Sequence, residues 1–187
     1  VSPASASVAV PAIVSLYGCG TMTASVRKTP VVKFADYKDV RSIAILPTDG
    51  ENREAAEEMN FINAKILEAA ATKGYKIVTT NQVQDYLGKD FKSLEKDPTS
   101  EALVKKIADK FDVEAVLYCK VNEWVVAQRS RDAYRSSTSL NYALINARTN
   151  KPLSKISGNA YDVTILPDSN YIRELATKLA GSLIGEL

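Results

Sequence analysis

Two carboxylates, Asp49 and Glu51, stand one residue apart just beyond a short apolar run, Ser42-Ile43-Ala44-Ile45-Leu46, that Pro47 closes. In open α/β sheets ligands favour the carboxyl ends of strands. A pair of carboxylates there can hold Mg²⁺ or divide the roles of general acid and general base. Asp49-Gly50-Glu51-Asn52 also reads as a polar turn leading into a helix, whose N-terminus favours negative charge, and this is the reading we prefer. A second group is Arg129, Arg131 and Arg135, interleaved with Ser130, Asp132 and Tyr134 between two strand patterns. As a hairpin tip it would meet phosphates, anionic lipid or an acidic partner; as a plain loop it would only be solvated. A two-residue turn is enough to join two strands, so the extra length asks for a function. Trp124, in a strand with Tyr118, is either a partner-binding aromatic or the cover of a core. Arginine and tryptophan are enriched at interface hot spots, which makes Trp124, Arg129, Arg131 and Arg135 the candidate binding residues.

Other chemistries are excluded by composition. The 187 residues contain no histidine, which removes Ser-His-Asp and Cys-His mechanisms and histidine-ligated metals. There is no G-x-x-x-x-G-K-[ST] phosphate loop, no G-x-G-x-x-G and no C-x-x-C. No cofactor and no metal site is indicated. Twenty-four basic against 22 acidic residues leave a net charge of +2, without the field that draws nucleic acid.

The two cysteines sit in different settings. No charged residue precedes Arg27, and Val8 to Leu16 reads VAVPAIVSL. That run is too short to span a bilayer, which takes about 20 apolar residues, but it has the length of a signal peptide's apolar region. Leu16-Tyr17-Gly18-Cys19 follows and resembles a bacterial lipobox, with Leu16 at −3, Gly18 at −1 and Cys19 as the lipidated residue. Tyr17 departs from the small residue usual at −2. Residues 1–18 are then a signal-peptide remnant, and 19–40 the lipidated cysteine with a flexible tether. One alternative makes residues 1–18 a buried element, against which Pro3 and Pro11 argue. Another pairs Cys19 with Cys119 in a disulfide. Cys119 lies in a strand pattern and suits a buried, reduced thiol.

The remaining chain, 41–187, reads as a single domain. Strand 42–46 is followed by a helix over 53–73 with Ala55, Met59, Ile62, Ile66 and Ala69 on one face, and by Gly74 past its end. Tyr75 to Thr80 is a second strand; two strands joined by such a helix favour a parallel crossover. Asn81 caps a brief helix over 82–87, a charged loop covers 89–96, and Asp97-Pro98 opens a helix with Val104, Ile107, Ala108 and Phe111 inside. Strands over 115–128, 136–149 and 153–163 form an antiparallel meander. Asp168 or Ser169 then caps a last helix striped with Ile172, Leu175, Leu179 and Leu183. Val31 to Phe34 adds an edge strand or lies along the surface. The fold class is α/β (α+β), one mixed β-sheet with a βαβ first half, a three-stranded meander and a C-terminal helix.

Ser42–Pro47 (SIAILP), Lys73–Val78 (KGYKIV), Phe111–Trp124 (FDVEAVLYCKVNEW) and Leu144–Leu153 (LINARTNKPL) together resemble a bacterial outer-membrane lipoprotein family over residues 41–160. Asp112-Val113-Glu114-Ala115 replaces that family's Gly-Ala-Asp-Ala, and Lys151-Pro152 stands where glycine is usual. The family is similar in fold to CsgG, LpoB and the N-terminal domain of TolB. The resemblance implies an α/β domain on an outer-membrane lipid anchor, facing the periplasm, and supplies no catalytic residue. The expectation is a non-enzymatic envelope protein, held to the membrane through lipid on Cys19, that binds an envelope protein partner or forms a homo-oligomer. The alternative is a periplasmic enzyme using carboxylates near Asp49 and Glu51.

Overall fold

A computed structural model describes residues 25–35, 40–71, 74–164 and 170–187. The signal-peptide remnant, Cys19 and the capping residues Asp168 and Ser169 lie outside the described residues. In chain order the elements are β1 (Ser25–Lys28), β2 (Val32–Lys33), β3 (Ser42–Ile45), α1 (Arg53–Ala71), β4 (Lys76–Val78), α2 (Thr80–Leu87), α3 (Phe91–Lys96), α4 (Glu101–Phe111), β5 (Ala115–Ser130), β6 (Ala133–Asn146), β7 (Pro152–Thr164) and α5 (Asn170–Ile184). They build one mixed sheet in the order β1-β7-β6-β5-β3-β4, with β2 also on β7. β3 pairs parallel with both β4 and β5. β5, β6 and β7 form the antiparallel meander.

The alternation of strand side chains gives the sheet two faces. Ile45, Leu117, Cys119, Val121, Leu140, Tyr142, Ile156 and Ala160 point to one, where α1 and α5 cover them. The anticipated α5 stripe is fully buried there, with Ile172, Leu175, Leu179 and Leu183 all inside. On α1, Ala55, Met59 and Ile62 are buried as expected, joined by Leu67, whereas Ala69 is exposed. Gly158 of β7 has no room for a side chain, since a Cβ would come 2.9 Å from Leu179 Cδ1 and 2.8 Å from the Arg27 carbonyl oxygen. On the opposite face, Ala44, Leu46, Val78, Val116, Ala143 and Ile145 pack beneath α2, α3 and α4. Those helices cover only the β4-β3-β5 side and the nearby part of β6.

Local details differ from the sequence reading. The cap of α2 is Thr79, not Asn81: its hydroxyl accepts from the Gln82 amide while Gln82 reaches back to the Thr79 amide, a capping box. The 89–96 stretch read as a charged loop contains α3, anchored by buried Phe91 and Leu94. The helix opened by Asp97-Pro98 begins three residues later, with Ser100 at its cap position. The stretch read as a tether includes β1, whose Ser25 to Lys28 pair with Tyr161 to Gly158. Val32 and Lys33 do form the edge pairing expected of that segment. The turn at Asn150 is a left-handed residue, φ 53°, a conformation asparagine tolerates.

Candidate functional site

Because α2–α4 stop short, the outer part of the meander presents a face that no helix of the described residues covers. Strand register sets side chains there in rows. Tyr118, Ala143, Lys155 and Val32 stand abreast across β5, β6, β7 and β2, and Lys120, Asn141 and Ser157 form the next row. With Thr29, Thr99 and Asn150 at its rim, this face makes an open groove of about 790 Å³.

Asp49 stands behind two residues that line the groove, Tyr118 and Lys120. The chain after β3 does not turn away but runs beside β5: the Asp49 amide donates to the Cys119 carbonyl and the Val121 amide donates to the Asp49 carbonyl. This places the Asp49 carboxylate against two β5 side chains. Tyr118 Oη donates to it over 2.8 Å, and Lys120 Nζ lies 3.3 Å from the same oxygen. Burial raises the Tyr118 hydroxyl above its ordinary pKa, and the Asp49 anion adds to the shift, so the phenol stays a hydrogen-bond donor. Glu51 is exposed, and Asn52 caps α1 through Oδ1, which accepts from the Ala55 amide at 3.1 Å. Among the described residues no group of three or more Cys, Asp or Glu converges. The groove can offer lysine, amide and hydroxyl donors to a polar occupant, and no activated nucleophile lines it among the described residues.

Across the sheet from Tyr118, Cys119 is a free, buried thiol, as its place in the strand pattern predicts. Leu117, Cys119 and Val121 share the face that α1 and α5 cover. Burial pushes the thiol from 9.0 up to about 11, against the pull of Tyr142, Asn63 and Thr48 around it. A group whose folded pKa is raised binds its proton more tightly when folded, so its contribution is present below the unfolded value and lost as pH rises through the folded one. The melting temperature is therefore expected to fall between pH 9 and 11, with a shallower fall in Cys119→Ala. Thiol labelling at pH 8 should be slow; fast native-state labelling would contradict the burial.

The arginine segment is not a loop. β5 and β6 continue to Ser130 and Ala133, which pair directly, so Arg131 and Asp132 form a two-residue turn. Arg131 carries the positive φ, 51°. Arg129 pairs with Tyr134 and Arg135 with Gln128. The extra length asked of a loop is thus strand, with two register shifts between Val121 and Gln128. Arg129, Arg131 and Arg135 are all exposed at this tip, and the Arg135 guanidinium lies 5.8 Å from the Tyr161 ring centre. Trp124 stands apart from them. It is half-buried against the core under α1 and α5, the covering role rather than the exposed one.

Sequence reasoning missed the Asp49–Tyr118–Lys120 contact. The period-two spacing of Tyr118 and Lys120 was a signal that they share a strand face, but nothing local ties them to Asp49.

No protein-family model matches the chain, and comparison with curated proteins finds no match. Solved structures do share its fold. PelC from Paraburkholderia phytofirmans, crystallised as a dodecamer, aligns with a TM-score of 0.54 at 16% identity over 88% of this chain and 97% of that chain. Lipoprotein GNA1162 from Neisseria meningitidis aligns with a TM-score of 0.58 at 18% identity over 77% of this chain and 98% of that chain. The chain therefore has a bacterial lipoprotein-like fold.

Proposed function

We propose that the chain is a lipid-anchored protein of the bacterial cell envelope, on the periplasmic face of the outer membrane, acting without catalysis through contacts with an envelope protein or with copies of itself. The observation that carries this reading is the long β5–β6–β7 meander. It offers an uncovered polar face and an arginine-bearing tip, while the one carboxylate of interest, Asp49, is held by Tyr118 and Lys120. The fold it shares with a dodecameric PelC and with lipoprotein GNA1162 supports both the anchor and self-association. Arg129, Arg131 and Arg135 remain the proposed binding residues, with Trp124 in a supporting place. The arginines supply the exposed part, and Trp124 steadies the strands from below.

The anchor is tested with Cys19→Ser in cells. Several acyl chains hold a protein on a membrane far more firmly than one, so the unchanged chain should resist salt washing while the variant moves to the soluble fraction. A variant that stays with the membranes at high salt would remove the lipid from the proposal. Mass photometry of the same acyl-free chain reads its assembly. Particles larger than one chain support self-association, and a monomer at every concentration directs the search to another envelope protein.

A further inference from the structure

We infer that the arginine tip of the β5–β6 hairpin docks on the phosphate-bearing headgroups of the membrane that holds the anchor. The inference rests on the lipid reading of Cys19 and adds what the tip itself binds. The topology points to it. β1 and β6 both run antiparallel to β7, so they run the same way, and β6 starts at the tip. Ser25, the first residue of β1, stands level with Tyr161 of β7 and Ser137 of β6. The chain thus joins the sheet from the tip side. Ser25 lies six positions after Cys19; at no more than about 3.5 Å per step the span reaches at most roughly 20 Å. Arg131 lies six positions before Ser137, across the turn and the first residues of β6, which is at most roughly 20 Å at about 3.4 Å each. An acyl chain on Cys19 consequently leaves the tip on the side of the sheet that the chain enters from and able to reach the bilayer surface.

The tip has the chemistry for that surface. Arg129, Arg131 and Arg135 are exposed, and within the 129–135 segment only Asp132 opposes their charge. Arginine's planar fork matches phosphate geometry. Val126 and Val163, 43% and 40% exposed, add apolar surface on the same end of the meander. A lipid chain combined with a basic patch is the two-signal arrangement that makes anchoring stable.

The test uses the full chain carrying Cys19→Ser, so that only the tip can bind. Sedimentation with vesicles of 3:1 phosphatidylethanolamine to phosphatidylglycerol should show weak binding that high salt removes, with none to pure phosphatidylcholine. Changing Arg129, Arg131 and Arg135 together to serine should lower the partition on the order of 100-fold, at about a tenfold loss per 1.4 kcal/mol. It should leave the melting temperature nearly unchanged, since exposed charges contribute little stability. A polarity-sensitive dye coupled to the thiol that Asp132→Cys introduces, with Cys119 buried and unreactive, should brighten when the anionic vesicles are added. Equal binding to both vesicle types, undiminished binding by the triple variant, or an unresponsive dye each overturns the inference. So does a triple variant that loses self-assembly in the absence of lipid while keeping its vesicle binding, because the tip would then be a protein contact. Fractionation of Cys19→Ser judges the lipid reading separately, so that a failure of the anchor and a failure of the tip to bind vesicles are told apart.

Discussion

Gly158→Ala should destabilise the domain by about 2–3 kcal/mol, the upper part of the range for forcing extra volume into a packed core. At about 2–4 °C per kcal/mol for a domain of this size, the melting temperature should fall by roughly 5–10 °C. The added methyl group would sit 2.8 Å from the Arg27 carbonyl oxygen, 2.9 Å from Leu179 Cδ1 and 3.2 Å from Leu183 Cδ2. Leucine tips can rotate away, but a strand carbonyl can move only with its strand. The methyl therefore pushes β1 off β7 and forces the Leu179 and Leu183 tips of α5 to repack. Leu179→Ala alone should also cost about 2–5 kcal/mol, because Leu179 is completely buried. In the Gly158→Ala background the same truncation should cost less, since it makes room for the new methyl. Strict additivity of the two, measured in urea, would show that β7 and α5 are not in the close contact described here.

Tyr142→Phe should cost about 2 kcal/mol although it removes one atom. Tyr142 Oη donates to Asn63 Oδ1 at 2.5 Å in a fully buried setting. Asn63 Nδ2 already has no hydrogen-bond partner among the described residues. Without the phenol the whole Asn63 amide is unpaired, and a buried polar group left so costs about 1–3 kcal/mol. Replacing both partners by apolar groups is much cheaper than removing one. Asn63→Leu combined with Tyr142→Phe should therefore be more stable than Tyr142→Phe alone, with the urea midpoint moving and the slope unchanged. A double variant less stable than the single one would mean that the asparagine is retained for some contact other than Tyr142.

What was legible in the sequence was what depends on near neighbours. The α5 stripe of Ile172, Leu175, Leu179 and Leu183 repeats at helical spacing and is buried throughout. The three-stranded meander and the inward Cys119 followed from alternation. The short α3 was not legible, because Phe91 and Leu94 are its only apolar anchors in a charged stretch and six residues carry too little periodicity. β1 was hidden for another reason. Ser-Val-Arg-Lys has no strand signature of its own, and its pairing depends on β7, more than 125 residues later. Asp49 illustrates the same limit at the candidate site: a polar turn was the correct local description of 50–52, while its carboxylate answers to Tyr118, 69 residues away. The arginine tip was located correctly in the sequence and misjudged in shape, since strand pairing continued through residues too polar to advertise it.

The pairing of β1 also has a bearing on aggregation. β7 is 13 residues long, and unpaired strand edges recruit other chains. β1 and β2 occupy that edge, presenting Arg27, Lys28 and Lys33 outward in place of a bare row of amides and carbonyls. Lys28 is further tied to Glu186, beyond the end of α5, by an ion pair. A chain trimmed to begin at residue 41, where the apolar pattern of the domain starts, would bare the β7 edge. Particles formed only by the trimmed chain would then report edge-to-edge pairing of copies, and not the self-association proposed for the whole chain.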